Sequence, residues 1–292
     1  MRYKYAATRR GKSHKKAPPS ACQRGPNGQT RTLYCRVNDR ATSWQTHILE
    51  GRLGDALSAE LERPQPDETV LELLEQLGEL QVFLRAKQYD QAEALAKRLE
   101  ADLEPVLPDF QPQISLLAES GAKLERGEAE EVLTLLGGVT TALLRAEADT
   151  QRGTAQVYLG DAAAEQTFRA ATEHDPKHYR ALTNLGNVLL EAGRTDEAIE
   201  LYERAVRLNE GFANAHHNLG VAYRRKGQVS KSVAAIRKAQ RVSRQRDRDD
   251  ARGSVKALAG GLRGRSGKYL RWVLYGGAAV GLYLLLRSQG VV

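Results

Sequence analysis

The sequence predicts an all-α protein: a solenoid of about five helical hairpins followed by one C-terminal transmembrane helix. Three observations lead there. Apolar residues make up 41% of the chain but aromatics only 6%. Ala and Leu, strong helix formers, dominate the apolar set, while the β-branched and aromatic residues that favour strands are scarce. A motif then recurs at an offset of 34 residues, a period typical of stacked helix–turn–helix units. Finally, residues 272–286 carry no charge and are strongly apolar.

Charge divides the 292 residues into three zones. Residues 1–47 hold 11 Lys and Arg against the single acid Asp39; residues 48–223 hold 16 against 32 Asp and Glu; residues 224–271 hold 16 against three. An acidic middle thus lies between basic ends, which reads as a soluble module with basic flanks rather than a uniformly basic nucleic-acid binder. The two cysteines, Cys22 and Cys35, are too few for a disulfide framework and lack the CxxC spacing of a zinc site, so a reducing compartment is expected.

Taken in order, residues 1–46 mix Gly, Pro, Ser, Arg and Lys without a period and read as a disordered basic leader. Its Arg-rich, acid-poor composition also fits an organellar targeting peptide. An alternative is a start further downstream, for example at Val37. Helical spacing of Val70, Leu71, Leu73, Leu74 and Leu77 predicts a helix over 69–77, with further helices over 79–85 and 90–101. Pro105, Pro108 and Pro112 then interrupt, and the helical pattern resumes at Ile114.

The repeat itself is read by adding 34. Ala181 maps onto Ala215, Asn184 onto Asn218, Leu185 onto Leu219, Gly186 onto Gly220, Gly193 onto Gly227 and Ala205 onto Ala239. Going back 34 maps Ala198 onto Ala164, Tyr202 onto Phe168 and Ala205 onto Ala171. The two best-specified units are ALTNLGNVLLEAGRTDEAIELYERAVRLN and ANAHHNLGVAYRRKGQVSKSVAAIRKAQRV, within 179–243. In each, a Leu-Gly pair sits on the first helix, a Gly closes it, and a small residue, Ala198 or Ser232, sits where the second helix must cross the first. Three weaker hairpins precede them, one of which fits only after a one-residue deletion in its first helix. The expected crossing residues are Ala92, Val132, Ala164, Ala198 and Ser232, spaced 40, 32, 34 and 34. The solenoid is therefore expected over 69–246, with a Gly-rich basic tether over 247–268 and the membrane span over 269–286.

These runs resemble the tetratricopeptide-repeat (TPR) family, in outline over 79–242 and specifically over 179–242. The resemblance implies a right-handed superhelix whose first helices line a concave groove that holds a partner protein or peptide. It also implies that the Asn two residues before the motif Gly bonds a bound backbone, a place taken here by Asn184 and Asn218. Arg180, Asn187, Asn214, His217 and Arg224 fall near that face by helical spacing. The competing reading of all seven is a solvated polar face. The family's full carboxylate clamp needs several cations over three good repeats, and only two good repeats are present.

No arrangement suggests catalysis. RRGKS ends like a phosphate-binding loop, but its first Gly would fall on Ala6. His174 and His178, and the adjacent His216 and His217, have no Cys or carboxylate at metal spacing. No enzyme activity, cofactor or metal is expected. The expected function is a membrane-tethered scaffold binding a protein or peptide, with the solenoid on the cytoplasmic side. Lys256, Arg263, Arg265, Lys268 and Arg271 precede the apolar run and only Arg287 follows it. That side belongs to a bacterial inner membrane or, if the leader is a targeting peptide, to a plastid or mitochondrial membrane. Gly277 and Gly281 form a GxxxG that offers a homodimer contact. A second reading assigns a nucleic-acid- or ribosome-associated role to the basic ends, with Tyr3, Tyr5 and Tyr34 in the leader.

Overall fold

A computed structural model describes residues 43–265, with side chains over 44–252. The described residues are helical throughout, with no strand among them. Helices α1 (Ser43–Leu49) and α2 (Leu53–Leu61) form a first hairpin. Five more follow: α3 (Glu68–Arg85) with α4 (Tyr89–Leu103), α5 (Phe110–Glu125) with α6 (Ala129–Leu136), α7 (Arg145–Leu159) with α8 (Ala164–His174), α9 (Tyr179–Glu191) with α10 (Thr195–Leu208), and α11 (Ala213–Arg225) with α12 (Val229–Arg265). A single 3-10 turn, Ala142–Leu144, leads into α7. The five hairpins expected from sequence are all present, and every expected crossing residue is buried: Ala92, Val132, Ala164, Ala198 and Ser232.

The turns explain why the pattern repeats. Each hairpin from α3–α4 onward reverses through a residue with positive φ: Lys87, Gly127, Gly160, Gly193 and Gly227, at 59° to 79°. Gly occupies this left-handed conformation without steric cost; Lys87 is the one residue of the series that does not. At the crossings the first helices approach closely. A Cβ on Gly186 would lie 2.7 Å from Cε1 of Tyr202, and Gly153 and Gly220 stand in the same relation to Phe168 and Ile236. Gly153 is thus the motif glycine of the hairpin whose first helix needed a one-residue deletion.

Several boundaries differ from expectation. Residues 43–46, assigned to the disordered leader, open α1. Trp44 and Ile48, four apart and hence on one helical face, are both buried in the first core cluster, and Gln45 is buried too. The helices expected over 69–77 and 79–85 are one. Their apolar stripe Leu73–Leu77–Leu80–Leu84 stays in phase through Gly78, so burial outweighs the roughly 1 kcal/mol cost of an internal glycine. Asp67 caps that helix by accepting from the Thr69 N–H at 3.1 Å. Pro112 lies inside the first turn of α5 rather than before it, a place where the missing N–H costs no helical hydrogen bond. The stretch 247–265, read as a flexible tether, continues α12 as helix to Arg265. Extending an existing helix gains one hydrogen bond per residue without a new nucleus.

The apolar interior forms two main clusters. One runs from Trp44 to Ala155, through α1–α7. The other runs from Ala164 to Ala235, through α8–α12, with Tyr202 and Phe168 at its centre. A small third cluster joins Leu182, Ala205 and Ala215. Among the described residues no helix is long and apolar enough to cross a membrane. The span expected over 269–286, the GxxxG pair Gly277 and Gly281, both cysteines and the leader over 1–42 lie outside the described residues.

Candidate peptide-binding face

Helices α5, α7, α9 and α11, the first helices of four successive hairpins, pack each against the next. Their outer rows therefore share one surface, and the seven groove residues expected from sequence belong to α9 and α11.

Over α7 and the start of α9 that surface is filled by the chain itself. Glu147, whose side chain is 1% exposed, accepts hydrogen bonds from Tyr89 Oη at 2.5 Å, Gln151 Nε2 at 3.1 Å, and Arg180 Nη1 at 3.1 and 3.2 Å. His178 Nδ1 accepts from the Ala181 N–H at 3.2 Å, capping α9. The ring proton therefore sits on Nε2, which donates to Glu147 at 2.9 Å. Gln151 also donates to Tyr89 Oη and to the Leu117 carbonyl, and accepts from Ser120. Arg85, at the end of α3, makes a two-pronged pair with Asp175 at 2.6 and 3.1 Å. Burial pushes the Glu147 carboxyl up, but Arg180, His178 and Tyr89 together pull it down to about 2. Burial and the Glu147 charge hold the Tyr89 hydroxyl well above its ordinary value.

Arg180 is thus turned inward, with 12% of its side chain exposed. Besides Glu147 it donates to the Leu84 carbonyl at 3.2 Å, at the C-terminus of α3. It braces α3, α7 and α9 together and does not stand open as a groove cation. Sequence reasoning singled out neither Glu147 nor the structural part played by His178.

Further along, the surface opens. Asn184 is half-buried and donates to Thr154 Oγ1 at 3.3 Å, linking α9 to α7. Asn218 donates to Asn187 Oδ1 at 2.7 Å, linking α11 to α9, and the same oxygen accepts from Tyr202 Oη at 2.8 Å. Asn214, His217 and Arg224 are exposed on α11, and their side chains make no hydrogen bond or ion pair among the described residues. The adjacent Arg225 is already used, donating to the Leu190 carbonyl and to Glu191, both at 2.7 Å. Of the seven expected residues, Asn187, Asn214, His217 and Arg224 are exposed, Asn184 and Asn218 are half-buried in bonds between neighbouring first helices, and Arg180 is turned inward. No group of three or more His, Cys, Asp or Glu positioned to hold a metal occurs among the described residues.

This arrangement of crossings and turns agrees with the sequence comparisons. Models described as tetratricopeptide repeat or TPR repeat match residues 167–200, 186–227 and 213–246. Residues 167–246 carry TPR repeats. The TPR matches begin within α8, and the helices before it are not part of them. Similar solved structures include a crystal structure of MamA, 22% identical over 56% of this chain and 95% of that one, with a TM-score of 0.40. They also include a MamA RS-1 double mutant, 29% identical over 44% and 74%, with a TM-score of 0.37. A third is YrrB, described as a TPR protein with an unusual peptide-binding site, 18% identical over 65% and 91%, with a TM-score of 0.37. No curated protein sequence matches the chain. The TPR segment has the form of a protein-interaction scaffold.

Proposed function

We propose that this chain is a membrane-tethered scaffold that binds an extended segment of a partner protein across α9 and α11. The observation that carries the reading is the contrast along one surface. Where α3–α5 cover α7 and the start of α9, every polar group of the Glu147 cluster is bonded within the chain. On α11, Asn214, His217 and Arg224 are exposed without partners beside the Asn218–Asn187 pair. Asn offers a donor and an acceptor to an extended backbone, and Arg224 adds one cation for a carboxylate. The tether is the uncharged run 272–286 with five cations before it and one after. That run has the composition of a membrane span, and the charge bias keeps the solenoid on the cytoplasmic side.

Two experiments test this. In affinity capture with the full chain, Asn214→Ala, Asn218→Ala and Arg224→Ala together should weaken partner recovery roughly tenfold or more, at about 0.5–1.5 kcal/mol per lost hydrogen bond. The melting temperature should not change. Undiminished capture of the same partner would remove the α9–α11 face from the proposal. Separately, the full chain should resist alkaline carbonate extraction from membranes, and a chain ending at Ser266 should be released. Release of both would remove the tether.

A further inference from the structure

Helix α12 outruns the solenoid. Its last buried residues are Ala235 and Ala239, and every residue from 243 to 252 is exposed. At 3.6 residues per turn, Arg237, Arg241, Arg244, Arg248 and Arg252 fall within an arc of about 80°, on the side opposite Ala239. The row is about 22 Å long at 1.5 Å per residue. None of the three acids of this stretch lies in the arc: Asp247 and Asp249 flank it, Asp250 is on the opposite side, and of the five arginines only Arg252 approaches an acid, Asp249 at 4.0 Å. Arg237, Arg241, Arg244 and Arg248 make no ion pair among the described residues. No Asp or Glu follows Asp250 in the sequence. The same helical register continues in the sequence with Val255, Ala259 and Leu262 and leads to the uncharged run 272–286.

A row of arginines without acid partners offers a site to an anionic surface, and the residues around it indicate which. A face for single-stranded nucleic acid would set aromatic rings among the cations for bases to stack on; the row has two glutamines beside it, Gln240 and Gln245, but no aromatic residue, and it changes along one register from cationic to apolar. That order fits a bilayer approached at an angle, with phosphate and carboxylate headgroups meeting the arginines and the acyl boundary meeting the apolar continuation. We propose that the arginine face of α12 docks on anionic phospholipid headgroups and so fixes how the solenoid is held against the membrane. The inference rests on the membrane attachment proposed above, and its test separates the two.

The full chain is incorporated into nanodiscs of phosphatidylcholine alone or of phosphatidylcholine with phosphatidylserine, and amide hydrogen exchange is followed over residues 240–252. Exchange should slow roughly tenfold or more with phosphatidylserine, since each docked cation adds several-fold to the attraction. The protection should disappear in high salt and in Arg241→Gln/Arg244→Gln/Arg248→Gln, whose solenoid peptides exchange as in the wild type. Incorporation into both nanodiscs with equal exchange would overturn the headgroup contact and leave the attachment standing. Binding to phosphatidylserine nanodiscs alone, reversed by salt, would overturn the transmembrane tether and leave the arginine face standing. Protection by an added oligonucleotide, with none from phosphatidylserine, would overturn the lipid assignment in favour of nucleic acid.

Discussion

Glu147→Gln removes a buried charge on which four side chains converge. The carboxylate gathers donors from Tyr89 on α4, Gln151 on α7, His178 in the turn before α9 and Arg180 on α9. The amide keeps the volume but carries no charge, and its NH2 replaces one acceptor with a donor facing other donors. Removing one partner of a buried ion pair costs about 3–5 kcal/mol, because the remaining charge is left without compensation. A second route gives a similar figure. The carboxyl titrates at about 2 in the fold against an ordinary 4.5, which at 1.36 kcal/mol per unit is about 3 kcal/mol. The sign follows from the lowered value. The contribution is complete above pH 4.5 and is lost as the pH falls toward 2. At roughly 2–4 °C per kcal/mol for a domain of this size, the variant should melt about 10 °C below the wild type at pH 7. Circular dichroism at a helical wavelength, on the full chain in a neutral detergent, measures it. The gap should close on acidification below pH 4.5, as the wild type loses what the variant already lacks. A variant that melts with the wild type at pH 7, or a gap that persists unchanged to the acid end, would refute the assignment of Glu147 as a charged hub.

The remaining stability predictions concern backbone geometry. Gly186→Ala places a Cβ 2.7 Å from the ring of Tyr202, which is wholly buried. The crossing should lose about 1–3 kcal/mol, seen as a lower melting temperature; an unchanged melt would show that the ring has room to move. Lys87→Gly should work the other way. Lys87 holds φ at 59° and is half of only a loose exposed pair with Glu125 at 3.8 Å, so relieving the left-handed strain should stabilise the chain by up to about 1 kcal/mol. The same melts decide it, and a destabilised variant would place the strain elsewhere.

Which parts of the fold are legible in sequence follows from how each element is stabilised. The hairpins α7–α12 reveal themselves because the same local problem, a close crossing and a tight turn, is solved by the same residue types each time: Gly186 and Gly220, Ala198 and Ser232, Gly193 and Gly227. The earlier hairpins solve it differently. Ser120 stands buried where the later first helices carry Gly, hydrogen-bonded to Leu117 and Gln151, and Lys87 takes a position that favours Gly. Their periodicity survives only in the crossing residues Ala92 and Val132 and the turn residue Gly127. Helices α1 and α2 are short and present only a brief apolar face, Trp44 and Ile48 and then Ala56. They are helical because α3 and the Ala142–Leu144 turn pack against them, which a local pattern does not announce. The tail of α12 is the opposite case: its glycines suggest a break that an already formed helix does not need.

The candidate site shows where periodicity stops being informative. Glu147, Arg180 and Asn214 hold corresponding places near the start of α7, α9 and α11. A repeat read from sequence treats them as three copies of one groove position. The structure gives them two roles: Glu147 and Arg180 face each other at 3.1 Å beneath the ends of α3 and α4, while Asn214 is exposed. The difference comes from what covers each first helix, and the covering residues lie 58 to 96 residues away in sequence. One sign of it was present. An acid and a base 33 residues apart, at one repeat position on neighbouring helices, can pair directly across the stack, and a cation spent that way is not available to a ligand. Asn214 has no such counterpart, since its neighbour Arg180 is already paired. The open part of the surface is therefore the part with no opposite charge one repeat away, which is the reason to seek the partner on α11 rather than on α7.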